Sequence, residues 1–323
     1  MTTPSVANPG APAVTALGGG HGLFASLSAL RLMSDRLTAV VTVADDGGSS
    51  GRLRDELDVL PPGDLRMALA ALCDDSEWGR TWSDLLQHRF VSGGSLDKHA
   101  MGNLMIVALW ELLGDTVTGL DWVGRLLGAR GRVLPMASVP LVVEADVRSD
   151  DGATLDTVVG QSRVAVTEGR IEQLRLVPAD PPACPEAVEA VRAADWVVLG
   201  PGSWYSSVLV HLLVPELATA LHETEARVCV TLNLAAERGE TQGLTATDHL
   251  EALFRHAPGL RVDAVLADPS AVEDVDELAD AAQAMGARLL MRQVRRGNGQ
   301  AQHDPLRLAA AYRDVFEGVY GDV

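Results

Sequence analysis

The sequence predicts an α/β protein: a Rossmann-like, doubly wound, mostly parallel sheet carrying an inserted antiparallel β segment. Three observations predict it. Short Val-rich apolar runs alternate with helical patterns, as strands buried on both faces of a parallel sheet do. Three of those runs pass directly into Gly- or Asp-rich loops, and open α/β sheets bind ligands at such carboxyl ends. The segment 132–178 breaks the alternation with a period of two.

Residues 1–12 are small and Pro-rich, with no basic cluster or apolar stretch, and read as a disordered leader rather than a signal peptide. Residues 13–323 are expected to form one domain. A strand at 13–17 enters Gly18-Gly19-Gly20-His21-Gly22, and a helical pattern opens at Leu23. A second strand, 38–43, enters Ala44-Asp45-Asp46-Gly47-Gly48-Ser49-Ser50-Gly51. Helices follow at 64–73, with Asp64 as N-cap, and at 102–114 and 116–127. His88 and Arg89 fall on a helix before Phe90 and receive no role. In the insertion, 141–147, 162–167 and 171–177 read as antiparallel strands, with a turn at Asp150-Asp151-Gly152. A Pro-rich linker, 178–185, leads to a helix at 186–193. The third strand, 195–199, enters Gly200-Pro201-Gly202-Ser203 and a further helical run. Strands at 227–232, 262–266 and 288–291 alternate with helices at 246–256 and 275–285.

Composition narrows the function. The chain has 323 residues, 47% hydrophobic and 22% charged, ordinary for a globular protein able to bury a large core. Acidic residues outnumber basic ones 44 to 26, for a net charge of −18. That charge disfavours nucleic acid and anionic membrane surfaces as partners, while leaving room for a local site for one small anion. No stretch approaches the ~20 apolar residues of a membrane helix. Cys73, Cys184 and Cys229 match neither zinc spacing nor a disulfide framework, so a reducing, cytoplasmic location is expected.

Chemistry concentrates in the loops. Gly18, Gly19, Gly20 and Gly22 around His21 let the backbone approach a phosphate at a helix N-terminus, whose N–H groups and partial charge suit an anion. The alternative is a tight turn without a ligand. The loop is no dinucleotide fingerprint, because Leu23 stands where Gly or Ala belongs, and no Walker loop. Adjacent aspartates on extended backbone point to opposite sides, so one of Asp45 and Asp46 faces the crevice, to hold a ribose, a Mg2+ or a proton in transit. Gly48 and Ser49 share that loop, which reads otherwise as a solvated turn with helix-capping serines. Arg66, a cation in a first helical turn, opposes the helix dipole unless an anion compensates it. His99 is either structural or an anion-contact or acid/base group, and Asn103 either a ligand contact or a helix cap. Gly200, Pro201, Gly202, Ser203, Ser206 and Ser207 repeat the first loop's logic with added hydroxyls, and Trp204 or Tyr205 either stacks on a base or packs inside. Two such loops in one sheet suit a dinucleotide or a nucleotide sugar. No Ser/His/Asp triad and no metal-ligand spacing is read, so catalytic residues and metal ligands stay unassigned.

The run Val41-Thr42-Val43-Ala44-Asp45-Asp46-Gly47-Gly48-Ser49-Ser50-Gly51-Arg52-Leu53-Arg54 resembles the YvcK branch of the YvcK/CofD-like family, often labelled gluconeogenesis factor. Leu60-Pro61-Pro62-Gly63-Asp64-Leu65-Arg66, His99-x-x-Gly102-Asn103-Leu104 and Leu199-Gly200-Pro201-Gly202-Ser203 follow in the family's order. The resemblance implies a nucleotide-type ligand, in particular a UDP-sugar such as UDP-N-acetylglucosamine. It also implies a regulatory link between gluconeogenic growth, cell-wall synthesis and cell shape. No cofactor is required on this view; NAD and Mg2+ stay open as further ligands, and a homodimer and protein partners in envelope synthesis are compatible with it. A sister branch holds phospholactate transferases, which makes a Mg2+-dependent transferase the rival reading. Departures from the family's usual pattern are His21 for Thr, Met67 for Asn, and Gln302 for the Arg before His303-Asp304.

Overall fold

The computed structural model describes residues 10–149, 152–236 and 239–320. The leader's first nine residues and the Asp150-Asp151 part of the expected turn lie outside them. Residues 10–12 are tied to the body: Ala11 is buried, and the Pro12 carbonyl accepts a hydrogen bond from Ser34 Oγ at 2.6 Å.

The chain runs β1 (Val14–Gly18), α1 (Gly20–Leu30), β2 (Leu37–Val41), α2 (Gly48–Leu57), α3 (Gly63–Leu72) and α4 (Glu77–Gln87). It continues through α5 (Met101–Leu113), α6 (Thr116–Leu127) and β3 (Arg132–Pro135). The insertion comprises β4 (Val142–Arg148), β5 (Leu155–Val159), the single-turn α7 (Gln161–Val164) and β6 (Arg170–Val177). After α8 (Pro185–Arg192) and β7 (Trp196–Leu199) come a π turn, Trp204–Val208, a 3₁₀ turn, Leu209–Leu213, and α9 (Pro215–Glu223). The last elements are β8 (Arg227–Thr231), α10 (Ala246–His256), β9 (Ala264–Ala267), α11 (Val275–Ala284), β10 (Arg288–Met291) and α12 (Pro305–Glu317).

Seven strands form a parallel sheet in the order β10-β9-β8-β7-β1-β2-β3. Every residue of β1, β7 and β9 is buried, so both sheet faces need a cover, and the helices supply it. The strand order reverses between β1 and β7. There the first and third loops leave the sheet in opposite directions and open a crevice. β4, β5 and β6 form a separate antiparallel sheet, in which β4 buries alternate residues Val143, Ala145 and Val147. One hydrophobic cluster runs through both sheets. Among the described residues no single helix is long and apolar enough to cross a membrane.

Several expectations are corrected. Residues 132–135 pair with β2 as the edge of the parallel sheet, so the antiparallel segment begins at Val142. Ser162 to Thr167 is not a strand, despite its alternating pattern. Gly160, at φ +102°, ends β5, and the chain turns into α7 instead. The third strand of that sheet is β5, which the sequence reading passed over. Asp64 is not an N-cap: Pro62 holds that position and Asp64 lies inside the first turn of α3. The helix expected to carry His88 and Arg89 ends at Gln87, and Arg89 forms a β-bridge with Ala100.

Candidate functional site

The first loop is shaped by close contacts. A Cβ on Gly19 would lie 2.5 Å from Thr42 Cγ2, 2.6 Å from Asp64 Oδ2 and 3.4 Å from Ser207 Cβ. The stretch leaving β2, the third loop and α3 therefore converge on Gly19. A Cβ on Gly22 would lie 2.1 Å from the Pro201 carbonyl oxygen, so α1 and the third loop touch through that glycine. Gly20 has φ +55° with open space where a Cβ would stand. Gly18 is an ordinary strand residue beside Leu23. Helix α1 starts at Gly20, three residues before the apolar pattern does, with no acid in its first turn and exposed His21 in it.

On one side of this loop lies a polar cluster. Asp45 and Asp46 diverge as extended backbone requires. Asp45 Oδ1 accepts from Gly47 N–H at 2.9 Å, and its carboxylate faces the start of α3. Asp46 turns to the insertion, where Oδ1 accepts from Ser162 N–H at 2.9 Å. Asp64 accepts from the Gly20 N–H; burial, and next the charge of Asp45, push its carboxyl up to about 7. Gly48, at φ +50°, brings α2 in so that Ser49 is buried.

Ser49 Oγ lies 3.1 Å from His99 Nδ1 and accepts from Ala100 N–H at 3.2 Å and Asn103 Nδ2 at 3.0 Å. Asn103 Oδ1 in turn accepts from Arg66 Nε at 2.9 Å. Arg66 is 3% exposed, and its Nη1 has no hydrogen-bond partner. Burial, then Arg89, lowers Arg66 to about 10, so it stays charged at neutral pH, with Asp64 and Asp45 as its counter-charges. Burial, then Arg52, lowers the His99 pKa, which favours a neutral ring. The absence of a Gly-x-Ser-x-Gly elbow expected from the sequence is corrected: Gly47-Gly48-Ser49-Ser50-Gly51 has that spacing. Ser49 is nevertheless not an exposed elbow nucleophile: it is 3% exposed, and both its lone pairs are taken.

The third loop differs from expectation. Tyr205 N–H and Ser206 N–H donate to the two carboxylate oxygens of Glu240 at 3.0 and 3.1 Å. Glu240 is 2% exposed, so a protein carboxylate fills the amide pair that the sequence offered to a phosphate. Trp204 and Tyr205 are buried packing residues. Ser206 Oγ is buried without a partner, while Ser207 Oγ accepts from Gln161 Nε2 at 3.4 Å. Gly202 exchanges two hydrogen bonds of 2.9 Å with the Asn233 side chain, and Ser203 leads from it into the π turn.

On the other side of the first loop a cleft of about 520 Å³ opens at the β1/β7 reversal, within the usual range for small-ligand sites. His21, Gly22, Pro201, Gly202, Asn233, Arg296 and His303 are among its walls, and no Asp or Glu is among the described residues that line it. Asp45, Asp46, Gly48, Ser49, Arg66, His99 and Asn103 are not among its lining residues; they make up the polar cluster and its links. Asn233, Glu240 and Arg296 escaped the sequence reading. Asn233 had one available signal, its place just beyond the strand at 227–232.

Among the described residues no group of three or more His, Cys, Asp or Glu side chains is placed to hold a metal ion. The sequence profile of the 2-phospho-L-lactate transferase CofD family matches residues 14–304. A Mycobacterium tuberculosis protein is 51% identical over 311 residues, covering 95% of this chain and 90% of its own. A Bacillus subtilis protein is 35% identical over 320 residues, covering 95% and 98%. The second is named gluconeogenesis factor, and the first bears that name with a provisional qualifier. The crystal structure of a UPF0052-family protein from Bacillus halodurans superposes with a TM-score of 0.82 at 34% identity, covering 92% of this chain and 97% of that one.

Proposed function

The chain belongs to the CofD family, in the branch of the gluconeogenesis factors, and from that premise we propose that it is a nucleotide-sugar-binding regulator. One observation carries the reading: in a chain of net charge −18, the described residues that line the cleft at its β1/β7 reversal include no Asp or Glu. A diphosphate fits the N-terminus of α1, where the N–H groups of the first turn beyond Gly20, which Asp64 holds, lack intrahelical partners. The ligand is a UDP-sugar of the UDP-N-acetylglucosamine type, and its binding couples carbon supply to cell-wall synthesis and cell shape from a cytoplasmic location. The test is calorimetry and thermal shift with UDP-N-acetylglucosamine, UDP-glucose, UDP, GDP, GTP and NAD, each with and without Mg2+. A ligand that binds only the folded state raises its stability by RT ln(1 + [L]/Kd). Selective stabilisation by an intact UDP-sugar, recovered unchanged, supports the reading; no stabilisation by any uridine nucleotide overturns it.

Asp64 favours a second reading, a transferase acting on a nucleotide-activated substrate. A carboxyl held at about 7 beside a second carboxylate is matched to proton transfer at neutral pH. Asp45 and Asp64 are also the pair that would hold a Mg2+, whose charge would stabilise a transferring phosphoryl group. Product formation that collapses in Asp64→Asn while ligand affinity survives would replace the first reading with this one.

A further inference from the structure

Among the described residues lining the cleft Arg296 is the one guanidinium, and its position assigns it a role. Arg296 is exposed, and its side chain makes no ion pair or hydrogen bond among the described residues. Its neighbours are engaged: Arg292 Nε donates to Asp314 Oδ2 at 2.7 Å, and Arg295 Nε to Ser270 Oγ at 2.9 Å. Backbone pairing fixes where Arg296 stands. Arg295 bridges His303, and Arg296 N–H donates to the Gln302 carbonyl at 2.8 Å, so both arms of this hairpin wall the cleft.

A second observation points to a ligand at the same wall. His303 lines the cleft, is 9% exposed, and has a buried Nε2 without a hydrogen-bond partner among the described residues. Its ring makes a hydrogen bond to the Leu232 backbone carbonyl, and burial, the largest influence, lowers it to about 4. At neutral pH the ring is uncharged. With its proton on the Leu232 side, Nε2 is left as an acceptor for a ligand hydroxyl or N–H.

We infer that Arg296 is the cationic anchor of the cleft and binds the ligand's diphosphate opposite the N-terminus of α1, while His303 Nε2 accepts a hydrogen bond from the uncharged part of the same ligand. This rests on the nucleotide-sugar reading and deepens it by naming the source of positive charge. The third loop cannot be that source while Glu240 fills the amides of Tyr205 and Ser206.

The experiment titrates wild type, Arg296→Ala, Arg296→Lys and Arg313→Ala with UDP-N-acetylglucosamine, inorganic pyrophosphate and uridine at two salt concentrations. Arg313 is an exposed cation on α12, outside the cleft lining, and controls for net charge. Arg296→Ala is expected to weaken the UDP-sugar and pyrophosphate by roughly tenfold or more, as loss of a charge-assisted contact does, and to flatten the salt dependence. Arg296→Lys retains part of the affinity, uridine is unaffected, and Arg313→Ala binds as wild type does. Equal UDP-sugar affinity and equal salt dependence in wild type and Arg296→Ala overturn the inference and leave the nucleotide-sugar reading standing. Pyrophosphate binding that needs Arg296, without any UDP-sugar binding, supports the anchor and sinks the nucleotide-sugar reading instead. Melting temperatures establish that each variant is folded.

Discussion

Asp46 Oδ1 holds the backbone N–H of Ser162 at 2.9 Å, a bond between residues 116 positions apart. It joins the acidic loop after β2 to the single turn α7 of the inserted sheet. Two further contacts run from the same stretch: Gln161 Nε2 to Ser207 Oγ, and Glu240 N–H to the Ala165 carbonyl at 3.3 Å. The insertion thereby touches the second loop, the third loop and the segment carrying Glu240. Its place in the fold is a strap across these loops.

Asp46→Ala should therefore act as the loss of a helix cap and interloop tie, costing about 1 kcal/mol of stability. Asp45→Asn leaves that bond intact and should relieve Asp64 of a like charge. Denaturant titration of the two variants separates the roles of these adjacent aspartates. A destabilised Asp45→Asn beside an unaffected Asp46→Ala would contradict the assignment.

The glycines of the first loop answer to different constraints. Gly22→Ala puts a methyl 2.1 Å from the Pro201 carbonyl oxygen and must wedge α1 away from the third loop, an overpacking cost of about 1–3 kcal/mol. Gly20→Ala meets no atom within 4 Å and incurs only left-handed backbone strain, roughly 1–2 kcal/mol. On the nucleotide-sugar proposal both should lose affinity for UDP-N-acetylglucosamine, the first through a deformed cleft and the second through a blocked backbone approach. The melting temperature of ligand-free Gly22→Ala should fall further than that of Gly20→Ala. A Gly22→Ala variant as stable as wild type would remove the contact argument.

What the sequence made legible was whatever local pattern dictates. The runs that became β1, β2, β7, β8, β9 and β10 are short, apolar and bounded by loop residues, and each was placed within a few residues. The loops at their ends followed directly. Tertiary contacts decided the rest. Ser162 to Thr167 alternates like a strand, yet a cap from Asp46 and the positive φ of Gly160 commit its start to a helical turn. Glu240 lies 35 residues from Tyr205, and no motif links an acid at that distance to a loop amide. Asp64 looked like a cap because helix starts favour aspartate. Only the folded neighbourhood of Gly20 and Asp45 shows it as a buried acid. α12 begins Asp304-Pro305, a legible start signal that the sequence reading did not use.

Asp64 also sets a pH dependence. Its folded pKa, about 7, lies above the unfolded value of 3.8, so the native state binds this proton more tightly. The associated stability is full below the unfolded value and is lost as pH rises toward 7. Each unit of difference corresponds to about 1.4 kcal/mol, so between pH 5 and 8 wild type should lose roughly 2–3 kcal/mol that Asp64→Asn does not. Denaturant unfolding of both proteins at the two pH values measures the difference directly. Parallel pH profiles would remove Asp64 from the account.

Tyr312 ties the last helix to the third loop through hydroxyls whose proton order can be assigned. Ser26 Oγ donates to the Gly200 carbonyl at 3.0 Å, which uses its only proton. At the 2.8 Å contact between them, Tyr312 must therefore donate to Ser26, which leaves Thr231 to donate to the phenol oxygen at 3.0 Å. All three side chains are buried at 0% exposure. Tyr312→Phe strands the Thr231 proton and removes the donor to Ser26, at a cost of about 1–3 kcal/mol. Thr231→Val alone removes one donor and costs less. The double variant should be more stable than the sum of the singles predicts, because replacing both partners leaves no buried donor unpaired. Thermal unfolding of the three variants tests this. Strict additivity would mean that the hydroxyls act independently and that α12 does not brace the Gly200 turn through them.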